Sequence, residues 1–139
     1  MKKILILEDE DYQVLKENLE EENFDVDVVD NALDAYSLLI YEKKEYDLII
    51  LDLLMNGDFL VDDYPDEWRG HGGLCVLKEL KNQNKDINIL VYSYDDNPKI
   101  IKAVEETGVK FIPKMPSTRS VSGFNELIEE VKKLLNFEK

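Results

Sequence analysis

Five side chains spread along the 139 residues carry groups that could do chemistry together: Glu8, Asp9, Asp52, Ser93 and Lys114. Each closes or follows a short apolar run of strand length. Brought together they would place three carboxylates beside one hydroxyl and one ammonium. Two like charges about 4 Å apart at an effective dielectric near 20 repel by roughly 4 kcal/mol, so three carboxylates in one site call for a cation. Protonating one acid also relieves the repulsion. An all-oxygen acidic pocket, however, is what a hard divalent ion such as magnesium or manganese prefers, and Lys114 supplies further positive charge.

The elements that must position these groups can be read from the hydrophobic pattern. Leu48 to Leu51 is apolar on both faces, as in the middle of a parallel sheet covered by helices. Asp52 then stands at the carboxyl edge of a central strand, where open α/β sheets bind ligands. Its plainer reading is an aspartate that starts a turn. Lys3 to Leu7 is a second such run, ending in Glu8, Asp9, Glu10 and Asp11. The last two of these acids are expected to face solvent at the start of a helix marked by Tyr12, Leu15 and Leu19. Phe24 to Val29 alternates apolar residues with Asp25 and Asp27, the pattern of a half-exposed edge strand whose charges discourage further pairing. Asp30 or Asn31 can cap the next helix. Its stripe of Ala32, Ala35, Tyr36, Leu39 and Ile40 reads as an ordinary crossover helix closed by Lys43 and Lys44.

A loop rich in aspartate, glycine and aromatics follows Asp52 and runs to Gly73, before a helix over Leu74 to Lys81. Ile87 to Ser93 is a buried strand. After the turn at Tyr94, Asp95 and Asp96, Asn97 as N-cap with Pro98 behind it starts a helix that stops at Gly108. Val109 to Pro113 is the last strand, ended by Lys114, and Phe124, Leu127, Ile128, Val131, Leu134 and Leu135 mark the last helix. Five strand-helix units with right-handed crossovers predict a doubly wound, five-stranded parallel sheet with helices on both faces. All carboxyl ends then share one edge, which gathers Glu8, Asp9, Asp52, Ser93 and Lys114.

Composition narrows the function classes. Seventeen basic against 31 acidic residues give a net charge of −14, which repels a phosphate backbone and argues against direct nucleic-acid binding. The single cysteine, Cys75, can form no internal disulfide, and the chain enters its first strand without a signal-peptide pattern, so a cytoplasmic location is expected. No apolar run approaches the roughly 20 residues of a membrane span. One domain over 1–139 is expected, with no output domain after the last helix.

At these five positions the sequence resembles the receiver domain of two-component response regulators, over nearly the whole chain. Glu8 and Asp9 resemble the family's acidic pair, Asp52 its phosphoacceptor, Ser93 its hydroxyl residue and Lys114 its lysine. Phe111 resembles its switch aromatic, although it also suits plain core packing. The resemblance implies that Asp52 takes a phosphoryl group from a histidine kinase or phosphotransfer protein. A metal ion would be held by Asp9, Asp52 and the Leu54 carbonyl, with Glu8 acting through water. Lys114 would pair with a phosphoryl oxygen. Ser93 and Phe111 would move together and change the surface of the last two strand-helix units, which is also the candidate homodimer face, while the enlarged loop after the third strand is the candidate partner-recognition surface and the downstream effector is not named by the sequence. Turnover catalysis is not implied beyond the domain's own phosphorylation and dephosphorylation.

Three departures from the family pattern stand out. Glu8 replaces the more usual aspartate, Met115 separates Lys114 from Pro116, and an insertion at about 56–72 enlarges the loop after the third strand. This insertion combines Phe59, Tyr64 and Trp68 with Asp58, Asp62, Asp63, Asp66 and Glu67. Disordered segments are usually poor in aromatics, so at least one ring is expected to be pinned against the domain. His71 reads as a turn residue. A flavodoxin-like carrier is disfavoured because Glu8 to Asp11 would repel a phosphate, and a haloacid-dehalogenase-like phosphatase because Leu54 stands where its second acid belongs. The serious alternative is a receiver-like interaction module that no longer cycles phosphate.

Overall fold

In the computed structural model, which describes residues 1–10, 12–55, 64–83, 86–94, 97–114 and 121–136, five apolar runs pair in parallel. They are β1 (Lys3–Leu7), β2 (Asp25–Val29), β3 (Leu48–Leu51), β4 (Asn88–Ser93) and β5 (Lys110–Pro113), side by side in the order β2-β1-β3-β4-β5. The helices between and after them are α1 (Tyr12–Glu21), α2 (Ala32–Tyr36), α3 (Gly72–Asn82), α4 (Pro98–Glu105) and α5 (Val121–Asn136). The expectations for Asp11, Asp58, Phe59, Asp62, Asp63, Asp95, Asp96 and the Met115–Pro116 segment lie outside the described residues.

Alternation along the strands builds two cores. Leu5, Leu7, Ile49, Leu51, Ile89 and Val91 point to one face, against Ala32 and Ala35 of α2, Leu74 and Leu77 of α3, and Ile100 and Val104 of α4. Ile4, Ile6, Leu48, Ile50, Leu90, Tyr92 and Ile112 point to the other, against Leu15 and Leu19 of α1 and Leu127, Val131 and Leu135 of α5. All four residues of β3 are buried, as their unbroken apolar run requires, and β3 lies at the centre of the strand order. β2 is an edge strand, with Asp25 exposed and Val26 buried. Asn97 caps α4 by accepting from the Lys99 N–H, and Asn31 caps α2 by accepting from the Asp34 N–H.

The second crossover is not the ordinary helix its stripe suggests. After Tyr36 the backbone widens into a π-helical turn, Ser37–Tyr41, in which the Glu42 N–H reaches back to the Ser37 carbonyl at 2.9 Å. Leu39 remains buried through the change, while Tyr41 stands out to solvent with its ring edge-on to Tyr36. The segment ends at Lys43 in the left-handed region, with φ of 52°.

The insertion is closed at its base. Met55 and His71 form a parallel bridge, and the Gly72 and Gly73 N–H groups donate to the carbonyls of Met55 and Leu53, each at 3.2 Å. The chain therefore leaves the domain at Met55 and returns to the same place at His71. Its second half is docked. Tyr64 and Trp68 stack with centroids 5.1 Å apart, the Tyr64 hydroxyl donates to Glu79 of α3 at 2.6 Å, and Trp68 packs on the α2–α3–α4 core. His71 serves as the N-cap position of α3 without a side-chain cap bond, in keeping with its reading as a turn residue. Gly73 meets a packing demand of its own, because a Cβ there would lie 1.8 Å from the Asp52 carbonyl oxygen. Only glycine lets the start of α3 press this closely against the end of β3.

Candidate functional site

The strand register carries the five sequence-predicted side chains to the carboxyl edge. β1 and β3 pair through Leu7 and Leu51, so Glu8 and Asp52 leave the sheet side by side, and the Asp52 N–H donates to the Leu7 carbonyl at 2.9 Å. β4 and β5 pair through Ser93 and Pro113, and the Lys114 N–H extends that ladder by donating to the Ser93 carbonyl at 2.8 Å.

Asp52 is the hub. Its Oδ1 accepts from the Ser93 hydroxyl at 2.7 Å and from the Leu54 N–H at 3.0 Å, and its Oδ2 accepts from the Lys114 ammonium at 3.1 Å. The ammonium also donates to Glu8 Oε2 at 2.5 Å, and the other Glu8 oxygen accepts from the Glu10 N–H at 3.2 Å. Glu8, Asp52 and Ser93 are the buried polar residues among those described, at 6%, 5% and 0% exposure. One carboxylate oxygen from each of Glu8, Asp9 and Asp52 lies within 4.8 Å of the others, so this acidic cluster can hold a divalent metal ion. The donor set fits a hard cation: all its side-chain ligands are oxygens. Leu54 stands beside it, turned 39% to solvent.

Electrostatics at this edge follow from burial. Burial, then the charge of Asp52, push the Glu8 carboxyl up to about 8 against the pull of Lys114. Asp9 is raised above the usual carboxylate range by the same two causes in the same order. For Lys114, burial works to lower the pKa, but the Asp52 and Glu8 carboxylates outweigh it and hold the ammonium above its ordinary value. A single lysine thus answers two buried acids, with a third close by.

Phe111 is on β5 opposite Val91, half-buried against the α2–α3–α4 core. The structure also shows partners of Lys114 that the pattern of residue types does not signal. Its ammonium lies 5.2 Å from the ring centroid of Tyr92 and 5.4 Å from that of Tyr94. The alternation Tyr92-Ser93-Tyr94 at the end of β4 is the only trace of this in the sequence.

A doubly wound parallel sheet whose strand ends gather acids, a hydroxyl and a lysine is consistent with a phosphoacceptor signalling domain. Residues 4–122 match the response regulator receiver domain family, and the chain belongs to that family. Response regulator TrrA from Thermotoga maritima, solved with Mg2+ and BeF, is similar at 30% identity, covering 97% of this chain and 100% of that one, with a TM-score of 0.71. The receiver domain of the Francisella response regulator 1452 is similar at 24% identity over 100% of both chains, with a TM-score of 0.72. The Mn2+-bound form of response regulator Rcp1 shares the fold at 23% identity, covering 95% of this chain and 92% of that one, with a TM-score of 0.72. Comparison with curated proteins gives no significant match. No helix among the described residues is long and apolar enough to cross a membrane.

Proposed function

We propose that the chain is one receiver domain, with 56–72 as an insertion, that takes a phosphoryl group from a histidine kinase or phosphotransfer protein onto Asp52. The observation that carries this reading is the placement of Asp52: a buried carboxylate that touches Ser93 and Lys114 and shares an acidic cluster with Glu8 and Asp9. One carboxylate oxygen attacks phosphorus as the bond to the donor nitrogen breaks and its electron pair leaves with the imidazole. Phosphoryl transfer depends mainly on positioning and charge, and Asp52 is positioned by three hydrogen bonds before any donor arrives.

Asp9, Asp52 and the Leu54 carbonyl would hold magnesium or manganese, with Glu8 assisting through water. A bound ion supplies charge neutralisation for the phosphoryl oxygens. Lys114 moves from its carboxylate partners to a phosphoryl oxygen, and Ser93 exchanges Asp52 for another. Phe111 follows Ser93 inward and alters the β4-α4 and β5-α5 surface, which would be read by an effector or a second copy of the chain.

The test is intact-mass analysis after incubation with magnesium and phosphoramidate. The wild type is expected to gain one phosphoryl group and Asp52→Asn none. A mutant that still labels overturns the assignment to Asp52. A wild type that no donor labels leaves the interaction module as the better reading.

A further inference from the structure

Lys114 must travel far to reach its partners. It leaves the sheet at the end of β5, yet its ammonium pairs with Asp52 two strands away and Glu8 three strands away in the order β1-β3-β4-β5. Strands lie roughly 4.8 Å apart, so the side chain has to cross the whole end of β4. A four-carbon stem with free rotation is poorly suited to holding one position over that distance, because ordering it costs rotamer entropy.

The end of β4 supplies what the stem lacks. Tyr92 is opposite Ile112 in the β4–β5 register, and Lys114 comes one pleat after Ile112 as Tyr94 comes one pleat after Tyr92. Alternation therefore brings Tyr92, Tyr94 and Lys114 to one side of the sheet, with Ser93 between the two rings in sequence. Both centroids fall within the roughly 6 Å over which an aromatic face attracts a cation. Tyr92 is buried and Tyr94 is 47% exposed, so the ammonium has one ring beneath it in the core and one at the mouth of the site. The lysine side chain retains only 10% of its exposure.

We infer that Tyr92 and Tyr94 are positioning residues that clamp the Lys114 ammonium at the Asp52 carboxylate, so that it is already placed for a phosphoryl oxygen when it exchanges a carboxylate partner for it. This rests on the phosphoacceptor reading above and assigns a part to two residues outside its acid, hydroxyl and lysine groups. The ammonium lies over the ring in each contact. Being uncharged, the rings stay with the cation in either state of the site, whereas Glu8 and Asp52 compete for it. The sequence Tyr-Ser-Tyr thus delivers a hydroxyl to Asp52 and two ring faces to Lys114 from three consecutive residues.

The experiment uses the full chain with Tyr94→Phe, which keeps the ring, and Tyr94→Leu and Tyr94→Met, which remove it from a half-exposed position. Two readouts are taken: the NMR shifts of the Lys114 ε-methylene protons without ligand, and saturation by beryllium fluoride with magnesium. In the wild type and Tyr94→Phe, ring currents are expected to move the ε protons upfield, and in Tyr94→Leu and Tyr94→Met that displacement shrinks. The beryllium fluoride concentration at half saturation is expected to rise about threefold to tenfold in the two non-aromatic variants and to stay within about twofold in Tyr94→Phe. Unchanged Lys114 shifts in Tyr94→Leu, or a Tyr94→Phe variant as impaired as Tyr94→Leu, would overturn the clamp. A wild type that shows no saturation overturns the phosphoacceptor reading instead, and the ligand-free shifts then decide the clamp alone.

Discussion

Glu8 and Asp52 are both nearly fully buried and share one ammonium, so at the scale of single residues the two cannot both ionise freely, and burial with the charge of Asp52 holds the Glu8 carboxyl up to about 8. Replacing Asp52 by its neutral isostere leaves Glu8 and Lys114 as a one-to-one pair. Asp52→Asn is therefore expected to stabilise the protein without divalent ions, by about 1–2 kcal/mol, or roughly 4 °C in the unfolding midpoint per kcal/mol. Magnesium should raise the wild-type midpoint by binding the folded state and raise the mutant's much less. Calorimetric scans of both proteins with chelator and with magnesium check this, and a mutant less stable than wild type in chelator would refute it. The five site residues were legible in the sequence because each is a polar type at or just after the end of an apolar run. The Lys114 contacts to Tyr92 and Tyr94 were not, since a tyrosine at a strand end signals core packing as readily as a cation partner.

At the scale of elements, the sequence pattern identifies the five strands, with β3 as the buried centre and β2 as an edge, and its misses have local causes. The stripe Ala32, Ala35 and Leu39 satisfies a 3.6-residue period as well as it does the wider turn, so the π-helical segment Ser37–Tyr41 leaves no separate mark. The edge strand offers a pH test. Asp27 of β2 accepts from the Tyr46 hydroxyl at 2.7 Å and from Lys44 at 3.2 Å, and these bonds, the tyrosine's first, hold its carboxyl below the usual range. A depressed carboxyl stabilises the fold above its unfolded value of about 3.9, and that contribution is lost as pH falls through the lower folded value. Asp27→Asn should thus cost stability at pH 7 and cost progressively less as pH falls below about 4. The effect is small, about 0.5 kcal/mol, because Asp27 and Lys44 are each 47% exposed and solvent screens them. A cost that is independent of pH in urea titrations would count against the charge. Gly73 offers a steric test of larger size. With an added Cβ only 1.8 Å from the Asp52 carbonyl oxygen, Gly73→Ala must move either α3 or Asp52. A loss of about 1–3 kcal/mol in urea unfolding, with slower labelling of Asp52, is the expected result.

For the molecule as a whole, the docked half of the insertion links the site to two helices. Its base closes on Leu53 and Met55, immediately after Asp52, while Tyr64 bonds to Glu79 of α3 and Glu67 lies 3.4 Å from Lys99 at the start of α4. The sequence pattern anticipated a pinned ring from the aromatic content of the loop. It could not say which ring, since stacking and burial depend on where α3 brings Glu79 and the core. The pinned pair is Tyr64 and Trp68, and the acids Asp66 and Glu67 beside them are exposed, as expected for a solvated face. A movement of the backbone after Asp52 would pass through only the short Leu53–Met55 segment before it reached the bridge at His71 and the 3-10 turn Asp66–Trp68. Trp68 is the sole tryptophan and is half-buried on the α2–α3–α4 core, so its emission reports this one junction. Adding magnesium and then beryllium fluoride is expected to shift Trp68 emission and change cleavage within the insertion by a dilute protease. The Glu67–Lys99 pair is exposed, at 44% and 76%, and worth at most about 1 kcal/mol, so Lys99→Ala should leave most of the response in place. Tyr64→Phe removes the hydroxyl bond to Glu79 but keeps the stack, and should reduce the response while leaving the resting spectrum near wild type. Spectra and digestion that stay the same in every ligand state would separate the insertion from the site and make its docking purely structural.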